Sequence, residues 1–320
     1  MKLIALTGRS RSGKTTVANS LVSGIRPPGE CGVVSFSRPI REFLSSLQHG
    51  KSTSPLFRKL AQEVGDVCRQ VKPDIFSRSL VQSIRAGQAG QAASGVILSP
   101  NSISWLVVDD LRYPSELNDL KAEFGAENVA AFRLDRVGSG LTGGLAAHSS
   151  ETQNVEIPAV DISNNSQDNG LTAASEVFLR ASVAFCYRPR IYLAGPITLG
   201  DRNANCRAAI RVAESLRRLN FPVFIPHLQI TRLHQYQLGD AEYYRGLSES
   251  LTFLHHWAEL VVYLSGESPG RDRELKEARR IGLFCLSWDE VRGVLASAVG
   301  DSLDGQVDDA ESTRNQPVGD

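Results

Sequence analysis

Eight residues near the start of the chain, Gly8-Arg9-Ser10-Arg11-Ser12-Gly13-Lys14-Thr15, fit the spacing G-x-x-x-x-G-K-[ST] without a gap, and Thr16 follows them. The two glycines allow a turn in which successive backbone N–H groups converge on one anion, and a helix opening at Lys14 would add its positive N-terminal end. In this geometry Lys14 reaches the outer phosphates of a nucleotide such as ATP, and the Thr15 hydroxyl is placed for Mg²⁺. The motif demands a strand before it and a helix after it. Lys2-Leu-Ile-Ala-Leu-Thr7 reads as a short buried strand, and Lys14 to Val22 as a helix with Val17, Ala18, Leu21 and Val22 on one face.

A phosphate loop needs a carboxylate close to its cation, at the end of a neighbouring strand. Trp105-Leu-Val-Val108 is such a strand, and Asp109-Asp110 follows it. Adjacent strand residues point to opposite faces, so one of the pair faces the site: Asp110 is the expected partner of Thr15 and Asp109 the alternate. Cations are needed around the transferred group. Arg112 follows the acidic pair, and Arg133 and Arg136 bracket the end of the next strand, Val129 to Leu134. Arg133 reads equally as a solvated strand-end residue. Arg136 borders Val137 to Ala147, a stretch with four glycines and no charge, which is expected to act as a lid carrying that arginine over the phosphates.

An acceptor side is suggested by charge. Between Arg38 and Arg85 stand nine Lys or Arg residues against four acids, in a chain with 35 of each and no net charge. Helices are expected over Ile40 to Leu47, Phe57 to Gln70 and Pro114 to Phe124, with a further strand at Gly32 to Phe36. Strands alternating with helices imply an α/β fold, a parallel sheet with helices on both faces. After Tyr187-Arg-Pro-Arg190 the alternation restarts: strands at Ile191 to Ala194, Val223 to Ile225 and Leu260 to Leu264, helices at Ala204 to Leu219, Glu249 to Trp257 and Arg271 to Ile281. A second, smaller α/β domain is therefore expected over 188–295, after a first over 1–187. Residues 301–320 carry six acids and one Arg, and 296–320 is expected to be a disordered acidic tail.

Five cysteines without C-x-x-C spacing read as free thiols. No apolar run reaches the length of a membrane span, and none at the N-terminus resembles a leader. The expected setting is soluble and cytoplasmic.

In their order along the chain, several pieces resemble the deoxynucleoside monophosphate kinases of bacteriophages. They are Leu3 to Gly8 with the phosphate loop, Ser35-Phe-Ser-Arg-Pro-Ile-Arg41, Arg58-Lys-Leu-Ala-Gln-Glu-Val-Gly65, Arg69, Pro73-Asp-Ile-Phe76, Val108-Asp-Asp-Leu-Arg-Tyr-Pro-Ser-Glu116 and His148-Ser-Ser-Glu151. The resemblance covers about residues 1–180. It implies transfer of the ATP γ-phosphate to a deoxynucleotide; the residues expected to be catalytic, from the loop and the charges read above, are Lys14, Arg112 and Arg136. By the resemblance Arg58, Gln62, Arg69 and Asp74 would line the acceptor pocket, and Arg112 and Glu116 would support the metal side. Arg38 is expected to bind the acceptor by its charge, which suits an acceptor with extra phosphates. The family usually has an acid where Arg38 stands, and the loop from Ala86 to Ser104 looks expanded. Both departures fall on the acceptor side. A related branch of phage kinases phosphorylates 5-hydroxymethyluracil within DNA, so the acceptor is left open as a free deoxynucleotide or one within DNA. A homodimer is also left open, and no membrane partner is expected.

The second region resembles the nucleoside 2-deoxyribosyltransferase-like group through Ile191-Tyr-Leu-Ala-Gly-Pro-Ile197 and Gly266-Glu-Ser-Pro-Gly-Arg-Asp-Arg-Glu-Leu-Lys-Glu-Ala278. The resemblance makes Glu274 the group that attacks an anomeric carbon and Tyr192 the group that orients it. Active members carry an Asp on the preceding helix, whereas Ser250 to His256 has none; His255 or His256 could stand in as the acid. N-glycosidic cleavage and a non-catalytic nucleotide-binding or scaffolding role are both open for this domain.

Overall fold

The architecture is described from a computed structural model, which covers residues 1–25, 31–47, 55–86, 105–140, 148–166, 168–196, 201–226, 228 and 240–299. The tail expected over 296–320 starts too early: residues 296–299 end a helix, Trp288–Val299, which is anchored by the buried Val291, Val294 and Leu295. Residues 300–320, the loop at 87–95 and the part of the glycine-rich stretch at 141–147 lie outside the described residues. The chain divides into two compact units, Met1–Val177 and Phe178–Asp320. The division falls earlier than the expected 187/188 break and inside a helix, Leu171–Ala184.

The first unit is built on five parallel strands in the order β2-β3-β1-β4-β5. They are β1 (Lys2–Thr7), β2 (Cys31–Val34), β3 (Trp105–Val108), β4 (Val129–Asp135) and β5 (Val160–Ser163). β1 is central because its residues are apolar on both faces: Leu3, Ile4, Ala5 and Leu6 are fully buried. Each of the larger ones contributes about 2 kcal/mol by leaving water. The helices are α1 (Lys14–Gly24), α2 (Arg38–Leu47), α3 (Pro55–Val71), α4 (Ile75–Arg85), α5 (Pro114–Phe124), α6 (Ser149–Thr152) and α7 (Leu171–Ala184).

α5 starts where Pro114 supplies a preset φ, and the Glu116 side chain caps it by accepting from the backbone N–H groups of Arg112 and Tyr113. α4 is absent from the expectations above. Phe76, Leu80 and Ile84 recur on one face of it, against the cluster that also holds Phe36, Phe57, Leu106 and Leu117.

The second unit holds four parallel strands in the order β7-β6-β8-β9: β6 (Ile191–Ala194), β7 (Val223–Phe224), β8 (Leu260–Tyr263) and β9 (Phe284–Ser287). Around them lie α8 (Arg202–Arg218), α9 (Asp240–His256), α10 (Pro269–Arg280) and α11 (Trp288–Val299). β9 and α11 continue the alternation beyond the elements expected from sequence. Asp201 caps α8 and Ser268 caps α10 through their side chains, the usual device for orphan N–H groups at a helix start. Both sheets make the chain α/β. Among the described residues no helix is long and apolar enough to cross a membrane.

Candidate functional site

The phosphate loop joins β1 to α1 as the motif requires. Gly8 has φ 126° and Gly13 φ 90°, values that favour glycine. A Cβ on Gly8 would run into the Leu134 carbonyl of β4, and one on Gly13 into the Asn164 amide. Those neighbours also fasten the loop. Asn164 Nδ2 donates to Ser12 O at 2.7 Å, and Gly140 N donates to Ser10 O at 2.7 Å. Arg9 and Arg11 turn their side chains to solvent, and Arg11 has φ 67°.

Lys14 folds back over the loop, donating to Gly8 O at 2.7 Å and Arg9 O at 2.8 Å. Burial, with the positive charge of Arg112 nearby, lowers its pKa to about 8. Lys14 also donates to Ser12 Oγ at 3.4 Å, and a buried ammonium whose hydrogen-bond partners are all neutral gains from an incoming anion.

The two aspartates after β3 divide their duties in the reverse of the expected order. Thr15 Oγ1 donates to Asp109 Oδ2 at 3.0 Å, so the alternate carboxylate faces the loop. Asp109 Oδ1 is buried and has no partner among the described residues, and burial beside Asp110 raises this carboxyl to about 6. Asp110 points the other way along the alternating backbone. It accepts from Ser35 Oγ at 2.6 Å, Phe36 N at 2.7 Å, Ser37 N at 2.9 Å and Ser37 Oγ at 2.6 Å. Burial alone would raise Asp110; Arg41 and these hydroxyls outweigh it and hold the carboxyl below its usual value. Asp110 thereby fixes the turn between β2 and α2.

Beside the loop lies a cavity of about 460 Å³. Ser10, Thr15 and Asp110 border it at the loop, Phe36, Phe57 and Phe76 supply apolar ring surface, and Arg41, Arg58, Gln62, Arg69, Arg112, Glu116, His148 and Glu151 complete the wall. Most of its charges are paired. Arg112 Nη1 meets Glu151 Oε1 at 2.6 Å, Arg69 Nη2 meets Glu116 Oε1 at 3.0 Å, and Arg41 Nη2 lies 3.4 Å from Asp110 Oδ2. The Arg69 guanidinium is also held between the rings of Phe76 and Tyr113, 4.6 and 4.2 Å from their centroids. Arg58 reaches only Ser10 Oγ, at 3.5 Å, among the described residues.

Three of the five expected acceptor residues, Arg58, Gln62 and Arg69, thus share one wall; Arg38 and Asp74 do not. Arg38 is the first residue of α2 and pairs with Glu42 at 2.7 Å. One turn on, Arg41 has the phase that faces the cavity. Asp74 precedes α4 and pairs with Arg78 on that helix. Arg133 is taken up structurally: it pairs with Asp161 at 2.8 Å and donates to the carbonyls of Val155 and Ile157. Glu116 has both carboxylate oxygens committed, one to Arg69 and one to the start of α5, which makes it a positioning residue.

On the other side of the loop, a smaller recess of about 130 Å³ is lined by Gly13, Thr16, Arg136, Asn164, Ser166, Asn169 and Gly170. Arg136 therefore stands at the helix-α1 side of the loop, away from the large cavity. The sequence reading missed two features here: Arg41, quoted in a motif without a role, and Glu151, whose Oε2 accepts from Ser10 N at 2.9 Å. The spacing Ser37 to Arg41, one helical turn, is the signal that would have found the first.

In the second unit Tyr192 and Glu274 meet as expected. Tyr192 is fully buried on β6 and donates to Glu274 Oε1 of α10 at 2.6 Å. Burial raises Glu274 to about 7, outweighing the hydrogen bond from Tyr192, and among the described residues no cation offsets the loss of water. The same burial, together with Glu274, pushes the Tyr192 phenol well above its usual value. Phe224 lies beside Tyr192 at 5.6 Å and stacks on Phe253 at 4.1 Å. His255 pairs with Glu277 at 2.7 Å, a carboxylate of α10 other than Glu274. The chain matches no protein-family model and no curated protein.

Proposed function

We propose that the first unit is an ATP-dependent kinase that passes the γ-phosphate to a deoxynucleotide acceptor, free or within DNA. One observation carries the reading: an anion-cradling loop at the start of α1 opens, at Ser10 and Thr15, onto a cavity that combines aromatic surface with arginines. Phe36, Phe57 and Phe76 suit a planar base, Gln62 offers both a donor and an acceptor to its edge, and Arg58 suits a phosphate. The recess at Gly13, Thr16, Arg136 and Asn164 suits the base and sugar of the donor.

Within this reading Lys14 leaves the loop carbonyls for the outer donor phosphates, and Arg112 faces the charge that spreads over the transferred group. Thr15 and Asp109 would hold Mg²⁺. The donor set fits it: a hydroxyl and a carboxylate oxygen meet there, and the second oxygen, Asp109 Oδ1, is buried with no partner among the described residues. When bound, the cation neutralises charge on the phosphate oxygens. Asp110 keeps the β2–α2 turn, and with it Arg41, facing the acceptor.

The test is labelled ATP with a panel of deoxynucleoside monophosphates and with DNA containing 5-hydroxymethyluracil. Label should appear on one class in the wild-type chain and on none in Lys14→Ala. No transfer to any acceptor refutes the kinase; label on the DNA alone moves the acceptor from free nucleotide to polymer.

A second reading concerns the other unit, and the buried Tyr192–Glu274 pair favours it. A carboxylate whose pKa stands at about 7 can stabilise or trap an oxocarbenium-like centre, as N-glycosidic cleavage needs. Release of free base that survives Lys14→Ala and stops in Glu274→Ala supports it; no release from any deoxynucleotide sinks it.

A further inference from the structure

We propose that Glu151 distinguishes a nucleoside triphosphate from a diphosphate, because its carboxylate holds the two groups that a terminal phosphate would take. The inference rests on the donor-site reading above.

The loop has two sides. Gly13 and Thr16 face the recess that holds Arg136, whereas Ser10 and Thr15 face the acceptor cavity. The transferred phosphate must lie on the acceptor's side, so it belongs next to Ser10, and the inner phosphates belong at the amides that open α1. At Ser10 an anion is already bound. Glu151, 7% exposed, takes the Ser10 N–H on Oε2 at 2.9 Å and Arg112 on Oε1 at 2.6 Å. A carboxylate and a phosphate edge offer the same pair of anionic acceptor oxygens, and two such groups repel strongly where water is scarce. A triphosphate has to expel Glu151. A diphosphate ends before Ser10 and leaves it in place.

The residues beside Glu151 tie its position to the acceptor helix. His148 Nε2 lies 2.9 Å from Asp66 Oδ2 of α3, the helix that carries Arg58 and Gln62. Ser149 Oγ lies 3.1 Å from the Tyr113 hydroxyl, and Tyr113 packs on Arg69. Expulsion of the carboxylate from the loop therefore acts on the segment joined to the acceptor wall.

Calorimetric titration of ATP and ADP, each with Mg²⁺, into the wild-type chain, Glu151→Gln and Glu151→Ala tests this without any transfer assay. In the wild-type chain ADP should bind at least as tightly as ATP. Both variants should tighten ATP about tenfold and leave ADP within about twofold. Glu151→Gln keeps the size and an acceptor for Ser10, so it stands as the test if the alanine variant fails to fold. Equal effects on the two nucleotides, or an ATP preference of about tenfold already in the wild-type chain, overturn the role of Glu151 while leaving the donor site intact. Binding of neither nucleotide to any of the three overturns both.

Discussion

The arginine-paired carboxylates around the phosphate loop and the Tyr192–Glu274 pair of the second unit set buried carboxylates in opposite electrostatic settings. Around the phosphate loop, Asp110, Glu116 and Glu151 each face an arginine within 3.4 Å, and each also takes a backbone N–H group. In the second unit Glu274 has, among the described residues, the neutral phenol of Tyr192 as its partner and rises to about 7. Charge compensation therefore separates carboxylates paired with arginines from one that holds a proton up to about neutrality.

The comparison is most exposed at Lys14. Replacement by Ala should lower phosphate transfer by about a thousandfold or more, because the lost charge is aimed at the transferring group. Retained turnover in a radiolabel assay would mean that the loop does not act as an anion site. For the second unit the contrast is one of stability. The folded chain keeps a proton on Glu274 up to about 7, whereas its ordinary value is 4.5. Between those values the folded state binds the extra proton, so stability falls as pH rises across that window, by about 3 kcal/mol in all. Denaturant unfolding should show this slope in the wild-type chain and a flatter one in Glu274→Gln; parallel slopes would show that the carboxyl is not buried neutral.

Asp110→Ala leaves the Ser35 and Ser37 hydroxyls and the Phe36 amide without their acceptor. A loss of about 2 kcal/mol is expected, read as a fall in melting temperature of about 4–8 °C. Asp109→Asn should instead weaken the Mg²⁺ dependence of turnover with little change in melting; matching profiles for the two variants would erase the division of duties. The smallest effects concern the acceptor wall. Arg58→Ala should raise the acceptor KM about tenfold, and Arg38→Ala should stay within about twofold, since only the first lines the cavity.

What was legible in the sequence follows from range. The phosphate loop is encoded locally, in two glycines whose backbone angles only they adopt readily, and Pro114 to Gly125 announces α5 with its own start and stop signals. β5 escaped notice because three of its four residues are exposed and give no alternation. The residues expected on the acceptor side divide, three lining the cavity and two not, partly for a reason of phase. Charge density marked the region, but only the rotation of α2 decides that Arg41 faces the cavity and Arg38 does not. The order of Asp109 and Asp110 was likewise hidden, since it depends on which face of β3 meets Thr15 and which meets the turn after β2.

That turn has a consequence for redesign. Ser35, Phe36, Ser37 and Arg41 all converge on the one carboxylate of Asp110, some seventy residues away in sequence. A chimera that imports the turn from another protein, in order to change which acceptor is taken, would import donors without their anchor. The transferable cassette is discontinuous: the turn and the strand-end aspartate have to be exchanged together or not at all.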